Sequence, residues 1–414
     1  MIDARVMDIA RQIARAGGCA LIVGGYVRDL LRGEPSKDLD IEVYGMDLEG
    51  LRELLGRHGN VLSVGRAFGV LRLKHLNADF SLPRRDSKVG PGHRGFDVEC
   101  DPNLDFETAA RRRDLTVNSM GLDILNDEIS DPYGGRRDLE RGVLRAVDPD
   151  TFDEDPLRGL RVAQFSARFD MHADATLVEL CGRLDLHEVS PERVFEEFRK
   201  LLLKGARPSL GLEFLRESTL LRFFPELEAL THGSAWSQTL TAVDRSATLR
   251  QDTDDDLVQM LAVLSQALRR PADVESLLDR MRAPKDVVVR VSALVRFFPE
   301  PASFVEASSA SSEYRRLSRR LGASGVTLEL LARVAESVRS DAPVKQFLAQ
   351  ARKLGVDRRA PVDVVQGRHL IARGFAPGPR VGALLELCRE VQDETGWLDA
   401  ERILDEALSR APKS

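Results

Sequence analysis

The sequence pattern of this 414-residue chain changes near residue 150, and that change limits the architectures the chain can adopt. Before it, strand-like apolar runs alternate with helix-like stretches, as where residues 20–23 (ALIV) precede a predicted helix from Val27 to Leu31. After it, strand-like alternation disappears and helical periodicity continues nearly to the end. We therefore predict an α+β chain, in which a head with a mixed sheet precedes an all-helical neck, body and tail.

Charge and cysteine usage narrow the class of protein further. The 66 acidic and 60 basic residues give a net charge of −6, which argues against indiscriminate nucleic-acid binding but permits a local basic surface. No window approaches 18 consecutive apolar residues, and the first residues lack the pattern of a signal peptide. The four cysteines lie far apart, as reduced thiols do. We expect a cytoplasmic protein with no membrane contact and no obligatory protein partner.

Two aspartates in the first quarter of the chain are candidate metal ligands. Asp38 and Asp40 belong to the run DLDIEV (38–43), whose alternation predicts a half-buried strand. Period two places both carboxylates on one face, where they could hold Mg²⁺ and lower the pKa of an attacking hydroxyl. Asp79, in a later predicted strand, could supply a third carboxylate. An isolated pair of aspartates with this spacing usually lies on a solvated strand face. The surrounding sequence therefore has to decide between that interpretation and a metal site.

The sequence just upstream favours an anion site. Gly24 and Gly25 follow the strand-like run and precede a helix, and exposed amides at such a turn can bind a triphosphate. Arg28 adds a charge-assisted donor beside it. Taken alone, the two glycines could equally form an ordinary turn.

Four ordered motifs resemble one known family. Residues 21–43, LIVGGYVRDLLRGEPSKDLDIEV, resemble the head motif of the class II tRNA nucleotidyltransferases and bacterial poly(A) polymerases. Three further stretches resemble that family's RRDxTxNA, DPxGG and EDxxR motifs, namely residues 111–120 (RRRDLTVNSM), 131–135 (DPYGG) and 154–161 (EDPLRGLR). Four motifs in family order are far less expected by chance than any one of them.

The resemblance implies a polymerase-β-like nucleotidyltransferase head in which Asp38 and Asp40 carry Mg²⁺. It implies attack of a tRNA 3′-hydroxyl on the α-phosphate of CTP or ATP, with release of pyrophosphate, to build the CCA end. The implied nucleotide-binding residues are Gly24, Gly25, Arg28, Arg113, Asp114, Asn118, Asp155, Arg158 and Arg161.

The EDxxR stretch suits the reading of cytosine and adenine. Asp155, Arg158 and Arg161 are three apart on a predicted helix and so share one face. A carboxylate accepts hydrogen bonds and a guanidinium donates them, which matches the amine and ring nitrogen that cytosine and adenine both present. The alternative interpretation is an ordinary surface ion pair. Gln164 stands where many family members have a further arginine.

We predict four parts: a catalytic head (1–145), a base-recognising neck (146–205), a body (206–300) and a tRNA-binding tail (301–414). The body resembles an HD phosphohydrolase domain, with Gln238 and Gln266-Ala267 in place of metal ligands, so no phosphodiesterase activity is expected. Basic stretches at 314–320 and 352–359 of the tail are candidate phosphate contacts, or else solvated helix faces.

Three alternative functions remain open: a poly(A) polymerase, a partial enzyme adding only CC or only A, and a silent RNA-binding protein. The stretch VGRAFGV (64–70) resembles the tRNA-enzyme version of a segment that differs in poly(A) polymerases. Residues 84–105, rich in Gly, Pro and charge, are predicted to form a long loop of the kind that a complete CCA-adding enzyme needs.

Overall fold

The computed structural model describes residues 2–36, 38–64, 69–88, 96–268, 270–339 and 342–411. The chain divides into two compact units, Met1–Pro225 and Glu226–Ser414. The finer division into four parts stays a prediction. Most of the stretch 64–70 and the middle of the predicted loop lie outside the described residues. None of the described helices combines the length and apolarity needed to cross a bilayer.

The first unit is built on a seven-stranded sheet with the order β3-β4-β5-β2-β1-β8-β9. Strands β2 and β5 run parallel, and the other neighbouring pairs are antiparallel, so the predicted mixed sheet is confirmed. Two smaller sheets pair β6 with β7 and β10 with β11. The strands are β1 (Cys19–Val23), β2 (Leu39–Tyr44), β3 (Val61–Val64), β4 (Val70–Leu73), β5 (Ala78–Ser81), β6 (Arg84–Lys88), β7 (Phe96–Cys100), β8 (Gly121–Asp123), β9 (Ile129–Ser130), β10 (Val143–Leu144) and β11 (His172–Ala173).

Helices pack against the sheet, and the later part of the first unit is mainly helical. Those of the first unit are α1 (Ala4–Arg15), α2 (Gly25–Leu31), α3 (Leu48–Gly56), α4 (Phe106–Ala110), α5 (Gly135–Arg141), α6 (Leu157–Phe169), α7 (Ala175–Gly182), α8 (Pro191–Lys204) and α9 (Pro208–Glu217). Pro191 begins α8, because its fixed φ and missing N–H suit a first turn. The expectation of no strand after residue 150 is nearly right, with the short β11 as the exception.

Strand β2 divides its residues between two environments. Ile41 and Val43 are buried in the main core, which α1 and α3 also join through Ile9 and Leu55. Because successive side chains of a strand point to opposite faces, Asp40 shares with Glu42 the face away from that core. The core therefore determines where the acidic face of β2 points.

The prediction of a long loop over residues 84–105 is wrong for the residues of this range that the structure describes. β6 and β7 form an antiparallel hairpin in which Arg84 pairs with Cys100 and Arg85 with Glu99, and α4 follows at Phe106. Backbone hydrogen bonds between two strands can form without a run of apolar residues. Composition alone therefore favoured a loop where cross-strand pairing gives a ribbon.

The DPYGG turn brings α5 close to the segment 116–118. The two oxygens of Asp131 accept from the backbone N–H groups of Gly135 (2.6 Å) and Arg136 (2.9 Å), at the start of α5. Gly134 has a φ of 73°, in the left-handed region. A Cβ on Gly135 would lie 2.2 Å from the carbonyl oxygen of Thr116, so only glycine permits this approach.

The described residues of the second unit form helices and the loops that join them, with no strand among them. Its helices are α10 (Pro225–Glu228), α11 (Ser234–Thr248), α12 (Asp255–Ser265), α13 (Pro271–Arg280), α14 (Lys285–Phe297), α15 (Glu300–Glu306), α16 (Ser311–Gly322), α17 (Leu328–Arg339), α18 (Ala342–Lys353), α19 (Gly367–Ala372), α20 (Pro379–Thr395) and α21 (Ala400–Arg410). A buried ion pair between Asp256 and Arg333 joins α12 to α17. The prolines at 271, 299 and 379 lie at helix boundaries.

We predict that Gly135→Ala destabilises the first unit by about 1–3 kcal/mol, because the added methyl must displace the Thr116 backbone. Hydrogen exchange of the segment 114–120 should accelerate. The control is Gly56→Ala, at a helical position with open space around it, which should be neutral or slightly stabilising. Equal behaviour of the two variants would contradict the close approach.

Candidate active site

A cavity of about 540 Å³ opens in the first unit between the β1–α2 turn, β2, the segment 112–118, α6 and the end of α8. Ten of the twelve predicted site residues line it: Gly24, Gly25, Arg28, Asp40, Arg113, Asp114, Asn118, Asp155, Arg158 and Arg161. Asp38 and Asp79 do not. The motifs recognised along the sequence are therefore largely gathered around one cavity.

The glycine turn is required for two physical reasons. Gly24 has a φ of 75°, which side chains with a Cβ rarely adopt. A Cβ there would also lie 2.9 Å from Nη1 of Arg113. The turn thus allows an arginine side chain to approach the backbone at the start of α2.

Arg28 is held rigidly in the wall of the cavity. It is 4% exposed, donates to Asp29 through Nε and Nη2, and donates to Oδ1 of Asn118 through Nη1 at 2.6 Å. Its guanidinium lies 4.2 Å from the ring centroid of Phe169, a cation–π distance. Burial lowers the pKa of Arg28 below its usual value, and Asp29 opposes that shift. Even so, the group keeps its positive charge, since arginine titrates far above neutral pH.

Asp114 links this arginine to the helix α6. Its carboxylate accepts from Asn118 Nδ2 at 3.1 Å and from Arg161 Nε at 2.7 Å. Burial acts to raise the pKa of Asp114, but Arg161 and the hydrogen bonds from Asn118 and the Leu115 N–H hold it below its usual value. A continuous chain of bonds therefore runs from Arg28 through Asn118 and Asp114 to Arg161.

The predicted acidic residues are arranged around Asp40. Asp40 lies on β2 directly opposite Asp79 of β5, and both line an adjoining cavity of about 270 Å³. The Asp79 carboxylate is engaged by the guanidinium of Arg72. Asp38 is exposed and comes just before β2, which begins at Leu39. The metal-binding role of these three residues stays a prediction.

The pKa of Asp40 reflects this arrangement. Desolvation at the cavity wall raises it above the usual value, and Arg113 opposes the shift. The neighbouring carboxylates of Asp79, Asp38 and Glu42 raise it further. The raised pKa of Asp40 thus reflects its removal from water and the carboxylates around it.

Glu42 is a buried carboxylate that the motif-based prediction missed. It is 2% exposed and accepts from Arg112 Nη2 at 2.7 Å, from Arg113 Nη2 at 2.9 Å and from the Tyr44 hydroxyl at 2.8 Å. Burial acts to raise the pKa of Glu42, but Arg113 and Arg112 outweigh it and lower the pKa. The alternation that identified Asp38 and Asp40 also places residue 42 on the same face, so the sequence pattern could have identified Glu42.

Asp155 and Arg158, the predicted base readers, already have partners. Asp155 Oδ2 accepts from Arg193 at 3.0 Å, at the beginning of α8. Arg158 donates to the carbonyl oxygens of Thr151 and Arg112, each at 2.8 Å. A guanidinium has five N–H donors, so further donors remain for a ligand.

The cavity wall carries a large excess of positive charge. It has three acids, Asp40, Asp114 and Asp155, against nine bases: Arg28, Arg84, Arg112, Arg113, Arg158, Arg161, Arg168, Lys200 and Lys204. Sequence reasoning missed Lys200 and Lys204 because only the packing of α8 beside α6 brings them here. Gln164 also lines the wall and is 4% exposed. A cavity of this charge suits a polyphosphate anion.

The basic stretches of the second unit are largely engaged in ion pairs. Arg316 pairs with Glu394 at 3.3 Å, and Arg319 pairs with Asp393 at 2.9 Å. In the other stretch, Arg352 and Arg358 both bind Glu329. Their role as phosphate contacts stays a prediction.

Comparisons with known proteins identify relatives of this chain. Residues 20–145 match the family model of the poly A polymerase head domain, and residues 179–231 match the probable RNA and SrmB-binding site of polymerase A. The multifunctional CCA protein of Xanthomonas campestris pv. campestris (strain B100) is 39% identical over 217 residues, which are 50% of this chain and 51% of that protein. This chain thus spans about half the length of that relative.

The fold is that of the CCA-adding enzymes of known structure. The Bacillus stearothermophilus enzyme in complex with CTP superposes with a TM-score of 0.76 at 21% identity, covering 98% of this chain and 96% of that one. The Thermotoga maritima enzyme complexed with tRNA gives 0.68 at 21% identity, with coverages of 99% and 96%.

Sequence similarity extends this from fold to family. The multifunctional CCA protein of Methylococcus capsulatus is 35% identical over 297 residues, which are 64% of this chain and 68% of that protein. The chain therefore belongs to the family of class II tRNA nucleotidyltransferases and bacterial poly(A) polymerases.

We predict that Asp114→Asn lowers the free energy of unfolding by about 1.5–3 kcal/mol, because buried hydrogen bonds to the charged Arg161 lose their anionic acceptor. Chemical denaturation of the full chain measures this loss. The control is Asp170→Asn, whose pair with Arg207 is exposed on both sides and should be worth less than about 1 kcal/mol. Similar losses in both variants would contradict the special role of burial.

Proposed function

We propose that this chain is a tRNA nucleotidyltransferase that adds CCA to tRNA 3′ ends from CTP and ATP and releases pyrophosphate. The observation that carries the proposal is the shared cavity, whose lining brings Asp40 together with a group of arginines and with Asp155 and Arg158. Family membership and the CCA-adding relatives support the same activity.

Positioning and charge neutralisation supply the chemistry in this proposal. Arg28 and Arg113 hold the triphosphate, with the glycine turn between them giving close access to backbone amides. Asp114 and Asn118 keep these groups in place through the bonds described above. No protein nucleophile is required, because the tRNA hydroxyl attacks the α-phosphate directly.

The donor set at Asp40 fits Mg²⁺. Hard carboxylate oxygens are the ligands this ion prefers. Desolvation and then the neighbouring acids raise the pKa of Asp40, and a bound cation would stabilise its charged form. Asp38 and Asp40 would hold the ion, with Asp79 nearby. In the described parts of the chain no group of three or more His, Cys, Asp or Glu side chains could hold a metal, so substrate phosphates and water would complete the shell. When bound, the ion would lower the pKa of the attacking hydroxyl and neutralise pyrophosphate.

Selection of the base would depend on Asp155 and Arg158. Together they offer an acceptor and a donor that match cytosine and adenine and mismatch uracil and guanine. A mismatched buried polar edge costs about 1–3 kcal/mol per group, enough for useful discrimination. The carbonyl anchors of Arg158 fix the direction of its remaining donors.

The test is incorporation of labelled CTP and ATP into three RNAs: tRNA lacking CCA, tRNA ending in CC, and an unrelated RNA. The proposal requires two C and one A on the first, one A on the second and nothing on the third. Long A tails on every RNA would identify a poly(A) polymerase instead. Addition of only CC or only A would identify a partial enzyme. Retained tRNA binding without incorporation would identify a silent RNA-binding protein.

We predict that Asp40→Asn lowers the rate of transfer about 100-fold or more, since a metal-binding carboxylate contributes several kcal/mol to the transition state. Binding of tRNA should stay within several-fold of wild type, as measured by filter binding. Asp79→Asn is the matched variant on the next strand, and it should lose less because Asp79 is engaged with Arg72. Parallel loss of transfer and tRNA binding in Asp40→Asn would contradict a catalytic role for Asp40.

A further inference from the structure

Glu42 connects strand β2, which carries Asp40, to the arginines of the segment 111–113. It lies on β2, two residues after Asp40, yet it points at the arginines of the segment 111–113 rather than at solvent. One oxygen, Oε1, accepts from both Arg112 and Arg113, and the other accepts from Tyr44. All of the contacts that hold this carboxylate are therefore inside the protein.

The contacts continue from Glu42 to the predicted base-reading helix. Arg112 gives its side chain to Glu42, and its backbone carbonyl oxygen accepts from Nη2 of Arg158 at 2.8 Å. Displacing Arg112 would therefore displace an anchor of Arg158. The other arginine that Glu42 holds, Arg113, packs against the Gly24 turn.

We propose that Glu42 is a positioning residue, which fixes Arg113 for the triphosphate and, through Arg112, fixes Arg158 for the base. Its carboxylate is 2% exposed and lies outside the lining of the large cavity, although it lines the smaller one beside Asp40. This inference rests on the proposed function, and it adds a determinant of nucleotide affinity and base discrimination that lies on the same strand as Asp40.

Two possible roles of Glu42 predict opposite changes in the KM for nucleotide when its charge is removed, which makes the inference testable. If Glu42 served only as a counter-charge, removing its charge would leave the cavity more positive and would lower the KM for nucleotide. If it positions the arginines, the same change lets them move and raises the KM. Positioning also predicts more frequent incorporation of UTP and GTP, which a uniform change in potential does not.

The experiment compares Glu42→Gln with Tyr44→Phe in steady-state addition to tRNA lacking CCA. We expect Glu42→Gln to raise the KM for CTP and ATP about tenfold, equivalent to one weakened charge-assisted hydrogen bond, and to relax discrimination against UTP. Tyr44→Phe removes one hydrogen bond to Glu42 without altering charge and does not line the cavity, so an effect of about threefold in the same direction is expected. Glu42→Asp, which keeps the charge, should recover part of the loss.

The matched control is Asp256→Asn, which removes a buried arginine partner in the second unit. It should lower thermal stability while leaving KM and base discrimination unchanged. A lowered or unchanged KM in Glu42→Gln would overturn the inference. It would also be overturned if the activity lost in Glu42→Gln and in Asp256→Asn were fully explained by the fraction of unfolded protein. Failure of the wild-type chain to add nucleotide would instead overturn the proposed function.

Discussion

Burial of Ile41 and Val43 in the core of the sheet fixes the register of β2, and the site depends on that register. A shift by one residue would move the apolar side chains out of the core and carry Asp40 and Glu42 into it. Such a shift is opposed both by the cost of burying unpaired carboxylates and by the loss of apolar burial. The parallel pairing of Asp40 with Asp79 is a second consequence of the same register.

The site balances buried charges in pairs. Glu42 neutralises two arginines on the sheet side, and Asp114 holds Arg161 on the helix side. Buried cations of this kind are costly without partners, so Glu42 and Asp114 stabilise the arginines that they pair with. The cavity lining still has more basic than acidic side chains, which suits an anionic ligand.

The ordered motifs allowed most of the site to be predicted, because each motif is contiguous in sequence and its chemistry is legible locally. The alternation around Asp40, the glycine turn and the helix start at Pro191 all follow from local rules. Lys200 and Lys204 could not be predicted, because their place in the wall depends on how α8 packs against α6. The hairpin of β6 and β7 was missed because backbone pairing between two strands leaves little trace in composition.

Glu42 could be predicted only in part, because its position follows from local sequence but its partners do not. Its position was available from the period of the strand, but its importance comes from Arg112 and Arg113, which lie some seventy residues later in the chain. Arg316 and Arg319 illustrate the converse, because a run of arginines that suggested phosphate binding is engaged by acids of α20. Local charge patterns therefore identify candidates, while tertiary pairing decides which charges stay available.

The most direct measurement is a crystal structure of the chain with CTP and Mg²⁺. The account predicts the triphosphate in the large cavity, with the ion about 2.1 Å from an oxygen of Asp40 and the cytosine edge against Asp155 and Arg158. A nucleotide bound elsewhere, or an ion that does not contact Asp40, would contradict it.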